Sequence, residues 1–320
     1  MSLIKLEPIF QERLWGGRNL ESLFGYDIPE GKVGECWGIS AHPNGITKVA
    51  EGKFKGQTLQ QLWASYRDEL FGTYTMEEFP LLVKILDAQE PLSVQVHPNN
   101  QQALELEGEA YGKTECWYVL KAAPEAELIL GHSAQTPAEM REMINNNQWD
   151  TLLQRQPVKN GDFIFVESGT IHAIGAGIVI LETQQSSDTT YRVYDYDRMD
   201  NNGEKRELHL EKAMHVTNFP GVSSISSKVS KCNRDGVVTT LVQTEEFHVF
   251  HHEVFGNNYN PNFNGQFYLL TIIEGEGYLS LEDSMIKLCK GDHYIIPKGV
   301  SNITASGNME WITSTIPQDY

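Results

Sequence analysis

The stretches NGDFIFVESGTIHAIGAG (residues 160–177) and KGDHYIIPKGVSNITASG (residues 290–307) decide how this chain folds. Gly161, Asp162, Gly169 and Gly177 of the first return as Gly291, Asp292, Gly299 and Gly307 of the second, each displaced by 130 positions, and both copies alternate apolar residues between their glycines. The repeated unit is therefore a turn, a strand, a tight turn and another strand. Working outward, TECWYVLKAAPEAELIL (114–130) matches GQFYLLTIIEGEGYLSL (265–281) at a displacement of 151, so the first copy holds about twenty additional residues, a segment opening at Thr136. The repeat predicts a mainly β protein of two tandem barrel-like units. Residues 1–225 form the first, with inserted helices, and residues 226–320 the second. The boundary falls in the polar, aperiodic stretch Ser223 to Asp235.

Strand patterns surround the repeat. SVQVH (93–97), CWYVL (116–120), ELIL (127–130), IVILET (178–183) and TTYRVY (189–194) lie in the first unit. VVTTLV (237–242), FHVFHHEVF (247–255), FYLLTII (267–273), GYLSLE (277–282) and HYIIP (293–297) lie in the second. Helices are fewer. Thr58 and Gln61 make a capping box before Leu59, Leu62, Trp63 and Tyr66. Thr136, Pro137 and Glu139 start another helix, which resumes around Trp149 after the Asn145–Asn147 break, and a third short helix is expected over Asn99 to Leu106.

The 320 residues carry 43 Asp and Glu against 25 Lys and Arg, a formal charge of −18. Such a surface repels nucleic acid and anionic bilayers, while a local cationic cluster can still hold a small anion within a cleft. Cys36, Cys116, Cys232 and Cys289 stand far apart with no CxxC pair, as expected of reduced thiols. The start MSLIKLEPIF has no signal-peptide pattern and no apolar run approaches a membrane span, so a cytoplasmic location is expected.

Gln95 and His97 are two apart on a strand and leave the same face. Glu115 begins the next strand, and His172 follows the SGT turn of the repeat. Two imidazoles, a carboxylate and an amide oxygen suit a borderline divalent ion such as zinc. Taken singly, each histidine reads more readily as a hydrogen-bonded or surface residue than as a ligand. The repeat separates the cases: the second copy has Asn302 where the first has His172, and Gln266 where the first has Glu115, so one metal site per chain is expected.

His248, His251 and His252 lie on one strand with no cysteine nearby and read as a solvated face rather than a metal site. Glu182 and Arg192 flank QQSSDTTY and could return to one mouth on paired strands. They are then a candidate proton-transfer group and oxyanion clamp, or alternatively a structural ion pair or two exposed charges. In YRVYDYDR the alternation sets Arg192, Tyr194, Tyr196 and Arg198 on one side and Tyr191, Val193, Asp195 and Asp197 on the other. No P-loop, nucleophile elbow or dinucleotide fingerprint is present.

KILDAQEPLSVQVHP (84–98), YGKTECWYVL (111–120), SGTIHAIGAG (168–177) and LETQQSSDTTYRVYDYDR (181–198) together resemble the short-form type I mannose-6-phosphate isomerases, zinc enzymes built from tandem cupin barrels. GECWGISAHPNG (34–45) and RLWGG (13–17) are similar too. The resemblance implies one Zn2+ on Gln95, His97, Glu115 and His172. It implies basic site residues at Lys84, Lys113, Arg192 and Arg198, with Ser93, Trp15 and Glu182 lining the same pocket. The reaction implied is interconversion of mannose 6-phosphate and fructose 6-phosphate through a cis-enediol. In it Glu182 is the base, Arg192 stabilises the oxyanion, and Lys113, Lys84 and Arg198 contact phosphate or hydroxyls. A sugar-phosphate substrate, no nucleic-acid or membrane partner, and a monomer or homodimer follow as expectations.

The chain departs from the family pattern in VESGTIH, where Glu167 stands for an expected proline that the second copy keeps as Pro297, and in lacking the helical domain of longer members. Two competing readings stay open: a metal-dependent cupin oxygenase, since two histidines and a carboxylate also suit ferrous iron, and a non-catalytic sugar-phosphate-binding cupin.

Overall fold

Period-two alternation on the strands sorts this chain into layers. In the computed structural model, which describes residues 2–199, 203–221, 229–232, 234–281, 284–300 and 302–317, three sheets are formed among the described residues. A six-stranded sheet runs in the order Phe163–Val166, Glu115–Ala122, Ile178–Gln185, Leu81–Ala88, Ile9–Gly17, Val33–Ile39. A five-stranded sheet runs Tyr191–Tyr194, Val94–Val96, His172–Ile174, Glu127–His132, Leu153–Pro157. A nine-stranded sheet takes the strands from Val229 onward together with Ile4–Glu7 and Lys48–Val49.

The six-stranded sheet is buried on both faces. Val83, Ile85, Cys116, Val179 and Leu181 point to a core shared with Phe267, Leu269, Ile295 and Ile312 of the nine-stranded sheet. Their alternating neighbours Leu86, Ala88, Trp117, Val119, Ile178 and Ile180 meet Leu128, Leu130 and Ile174 of the five-stranded sheet. The outer face of that five-stranded sheet (Val94, Val96, Ile129, Ala173, Tyr191, Val193) is covered by Met140, Ile144, Leu152, Ala213 and Met214 from the inserted helices. The facing sides of the five- and six-stranded sheets enclose both the apolar core between them and a set of polar side chains around a cavity.

Mainly β is what the chain is, but the described residues close no barrel. The expected 1–225 and 226–320 units also share structure. Ile4–Glu7 pairs antiparallel with His293–Ile296, and Phe71 packs edge-on against Phe267 at 5.2 Å. Much of the expected boundary, 223–235, lies outside the described residues; within it Val229–Cys232 is an edge strand rather than aperiodic chain.

The repeat is visible in the backbone: Gly161, Gly169 and Gly177 and their counterparts Gly291, Gly299 and Gly307 all have positive φ. FYLLTII and GYLSLE, expected as two strands, are one strand, Tyr268–Leu281, because a bulge between Ile272 and Glu274 carries the ladder through the glycines.

Helix Leu59–Leu70 has its capping box in full and buries Leu59, Leu62, Trp63 and Leu70. Each such side chain contributes roughly 1.5–3 kcal/mol. Asn100–Glu107 has a second box from Asn99 and Gln102. At Thr136 only half the box forms, since the Glu139 carboxylate accepts from Gln135 N instead.

The histidine trio corrects another expectation. His252 is fully buried, between Tyr259 Oη (2.8 Å) and Thr313 Oγ1 (3.1 Å), and His251 is buried against Glu310 at 2.9 Å. His251 packs on Tyr118 of the six-stranded sheet with ring centres 5.0 Å apart, and His252, on the opposite face of the strand His248–Val254, packs against Trp311 and Phe263, so both faces are covered at these positions.

Candidate metal centre and active site

Register places the site residues in two facing rows. Across the five-stranded sheet Arg192 pairs with Gln95, and Gln95 with His172. Across the six-stranded sheet Trp37 pairs with Lys84, Lys84 with Glu182, and Glu182 with Trp117. Glu182 and Arg192 thus stand on different sheets, not on the paired strands expected, and face one cavity from opposite walls. That cavity, of about 300 Å³, is lined by Trp15, Lys84, Ser93, Gln95, Lys113, Glu182 and Arg192, seven of the expected site residues.

His97, Glu115 and His172 form a buried group whose candidate donor atoms all lie within 4.8 Å of one another. His97 Nδ1 donates to Thr189 O (2.8 Å) and His172 Nδ1 to Thr170 O (2.9 Å), which turns both Nε2 lone pairs inward. His172 Nε2 is 3.3 Å from Glu115 Oε1, and His97 Nε2 is 3.7 Å from Glu115 Oε2. Burial, with the nearby Lys113 charge, holds His97 well below the ordinary histidine range, and burial holds His172 at about 4, so both rings are neutral.

Neither Glu115 oxygen has a hydrogen-bond partner; apart from the two neutral imidazoles, the Lys113 ammonium approaches, 3.2 Å from Oε2. A fully buried carboxylate left so is costly unless a cation neutralises it. The Gln95 carboxamide nitrogen sits 3.3 Å from His172 Nε2 and 3.5 Å from His97 Nε2, and rotation about its last torsion presents the oxygen instead. The residues therefore fit a divalent cation with nitrogen and oxygen ligands.

Gly169 helps fix this group. Its φ of +82° suits glycine, its N–H donates to His97 O at 2.8 Å, and a Cβ there would come within 2.6 Å of the Asn218 side chain.

The charged wall is ordered by ion pairs. Lys84 Nζ lies 4.6 Å from the centre of the Trp37 ring, 3.9 Å from Glu182 Oε2 and 4.0 Å from Asp188 Oδ1. Burial opposes the charge on Lys113, but the Glu115, Glu182 and Asp188 carboxylates outweigh it and push the ammonium up. Trp117 Nε1 donates to Glu182 Oε1 at 3.0 Å and leaves Oε2 buried without a hydrogen bond. Burial and the Glu115 charge raise the Glu182 carboxyl to about 7 against the pull of Lys113 and Lys84.

His97, Glu115 and His172 stand behind this lining as the buried donor group, and Arg198 is the one expected catalytic or substrate-binding residue that the cavity lining does not include. The alternation read in YRVYDYDR stops at Tyr194, since Tyr196 and Asp197 take positive φ and turn the chain. Arg198 instead binds Asp195 Oδ1 and donates to Pro91 O at 2.6 Å. Sequence reasoning missed Arg13, Glu35, Asp188 and Arg206, all in the lining. The first two were within reach. Arg13 is two residues before Trp15 and Glu35 two before Trp37, so each shares its strand face, and Arg13 grips Glu35 at 3.1 and 3.0 Å. Asp188 and Arg206 sit on irregular segments that carry no period.

Fold and donor set define a β-sandwich protein with a side-chain group able to hold a metal ion at the base of a cation-lined cavity. Comparison with known proteins narrows this. Residues 3–115 match the type I phosphomannose isomerase catalytic domain and residues 237–316 the mannose-6-phosphate isomerase cupin domain. The chain is 45% identical to mannose-6-phosphate isomerase ManA of Bacillus subtilis over 96% of its own length and 97% of that protein's. It is 45% identical to mannose-6-phosphate isomerase of Streptococcus mutans over 96% and 98%. The crystal structure of mannose 6-phosphate isomerase from Bacillus subtilis superposes with a TM-score of 0.95 at 44% identity, covering 99% of this chain and all of that one. The chain belongs to the type I mannose-6-phosphate isomerase family.

Proposed function

We propose that the protein interconverts mannose 6-phosphate and fructose 6-phosphate, with one Zn2+ held by Gln95, His97, Glu115 and His172. The observation that carries this reading is the placement of Glu182. One carboxylate oxygen is fixed by Trp117, the other is without a hydrogen bond, and the group titrates near neutrality beside the metal donors.

An aldose-ketose isomerisation moves one proton between adjacent carbons. Glu182 takes the proton from C2 of the open-chain aldose and returns it to C1, by way of a cis-enediol whose oxygens exchange the second proton. A general base works best with a pKa near the operating pH, which burial gives this carboxyl. Arg192 and Lys113 supply positive charge where the oxyanion develops. Lys84, held between the Trp37 ring and two carboxylates, is placed to donate to sugar hydroxyls, with Ser93 and Trp15 shaping the wall. Zinc, when bound, polarises a substrate oxygen as a Lewis acid.

A coupled assay of fructose 6-phosphate formation, run on zinc-loaded and chelator-treated protein, tests the reading. Turnover that disappears with the metal and returns with zinc is expected. Iron in the isolated protein, with oxygen uptake and no isomerisation, would replace it with the oxygenase reading.

A further inference from the structure

Three guanidinium groups gather where the five-stranded sheet ends. Arg192 is on its edge strand, and the segment running through Arg206 to His209 lies along that edge: His209 N donates to Arg192 O (2.8 Å), and Arg192 N donates to His209 Nδ1 (3.1 Å). Arg192 Nη1 donates to Glu207 O at 2.9 Å, while its Nε is buried with no hydrogen-bond partner. Arg206 is gripped by buried Asp195 through Nε (2.7 Å to Oδ2) and Nη2 (2.5 Å to Oδ1), which leaves Nη1 uncommitted among the described residues. Arg198 takes the remaining space on Asp195 Oδ1. Among the described residues Asp195 is the carboxylate bonded to Arg198 and Arg206, while Arg192 donates to the Glu207 backbone carbonyl, so three positive charges meet one bonded negative charge in a chain whose formal charge is −18. The crowding shows in Arg192: burial, then the Arg206 charge, weakens its hold on its proton.

Of the trio, Arg192 and Arg206 line the cavity and Arg198 does not. We propose that Arg206, oriented by Asp195 and standing beside Arg192, binds the phosphate of the substrate. The proposal rests on the isomerase reading for the identity of that substrate and on the geometry for the anion site. A phosphate monoester carries a charge of about −2 at neutral pH, and planar guanidinium donors match its oxygens. The span is also right. Arg192 is two strands from His172, about 10 Å at an inter-strand spacing of about 4.8 Å, and the Arg206 segment lies beyond it. An open-chain six-carbon sugar phosphate reaches from the metal donors to this end of the cavity.

Two measurements on the zinc-loaded full chain test the assignment: calorimetric binding of inorganic phosphate, which needs no turnover, and steady-state kinetics on mannose 6-phosphate. Arg206→Ala should weaken phosphate binding and raise KM by about 10- to 100-fold, as expected for loss of a charged hydrogen bond, with kcat within about threefold and zinc content unchanged. Should that variant fail to fold, Arg206→Gln, which keeps a donor for Asp195 and removes the charge, carries the same expectation. Phosphate affinity and KM within twofold of the parent in an active, folded variant would overturn the assignment, as would a loss confined to kcat. A parent protein that binds phosphate through Arg206 yet does not isomerise mannose 6-phosphate would sink the isomerase reading and leave the anion site standing.

Discussion

The indole of Trp117 and the carboxylate of Glu182 face each other across paired strands and are joined by a 3.0 Å hydrogen bond from Nε1 to Oε1. The bond fixes the carboxylate plane and favours its charged form, while burial and the Glu115 charge favour the neutral one. With the balance near 7, kcat/KM should rise about tenfold per pH unit below neutrality and level off above it. Glu182→Gln should lose at least a thousandfold in kcat, about 4 kcal/mol of barrier. A flat profile between pH 5 and 7 would remove Glu182 as the base.

Trp117→Phe separates the two influences. Without the indole N–H the charged carboxylate loses a donor, so its pKa moves further up and the acid limb of the profile shifts to higher pH by about one unit. The measurement is the pH dependence of kcat/KM for parent and variant. A shift to lower pH, or none, would show that the indole does not tune this group.

Removing the metal leaves the Glu115 carboxylate buried with Lys113 as its sole charged neighbour within 4 Å among the described residues, apart from the neutral imidazoles. Chelation should therefore lower the melting temperature as well as abolish turnover, because a ligand bound to the folded state alone stabilises it by mass action. His172→Ala should retain less than about a tenth of the parent zinc, measured by elemental analysis after dialysis. Full zinc occupancy in that variant would remove His172 from the ligand set.

How much of this was legible beforehand follows from where period two applies. Gln95, His97, Glu115 and His172 lie on or next to strands whose apolar partners fix the face, so alternation and the repeat made them one candidate group; Glu182 was one of several readings of its spacing, and Lys84 entered only through the family resemblance. Arg198 was misjudged because alternation was carried past Tyr194 into a turn with positive φ, and Arg206 was invisible because it is delivered by an irregular return segment. The burial of His251 and His252 was missed for a different reason. A strand's own pattern does not say what packs over each of its faces, and here Tyr118 of the six-stranded sheet covers His251 while Trp311 and Phe263 cover His252. The tandem repeat was read correctly as repeated turns, while the passage of Ile4–Glu7 into the far sheet is a long-range pairing that no local signal encodes.

Acid should unfold the protein through its buried histidines. Burial lowers His252 to about 3 and His293 to about 4 from the ordinary value near 6.5. The unfolded chain therefore takes up these protons first. The stability they contribute is complete above about pH 6.5 and is lost as pH falls toward the folded values, at about 1.4 kcal/mol per pH unit for each histidine. Urea melts of parent and His252→Gln at pH 7.0 and 5.0 measure this. The variant, less stable at pH 7.0, should lose less on acidification, by about one proton's worth of slope. Equal slopes would mean that His252 does not contribute.

Gly169→Ala joins the repeat to the chemistry. At φ +82° an alanine is strained by about 1 kcal/mol or more, and its Cβ would press on the Asn218 side chain at 2.6 Å. Asn218 is held in turn by its own N–H to Gly169 O at 2.9 Å, so relief requires the turn itself to move. That turn carries the N–H bonded to His97 O and lies three residues before His172, so a shift displaces two of the four proposed ligands together. The variant should lose about 2 kcal/mol of stability in urea and bind zinc at least tenfold more weakly. At Gly299 of the second copy a Cβ meets nothing within 4 Å, so Gly299→Ala should pay the backbone strain alone and leave zinc affinity unchanged. Equal zinc affinity in the two variants would detach the turn at Gly169 from the metal centre.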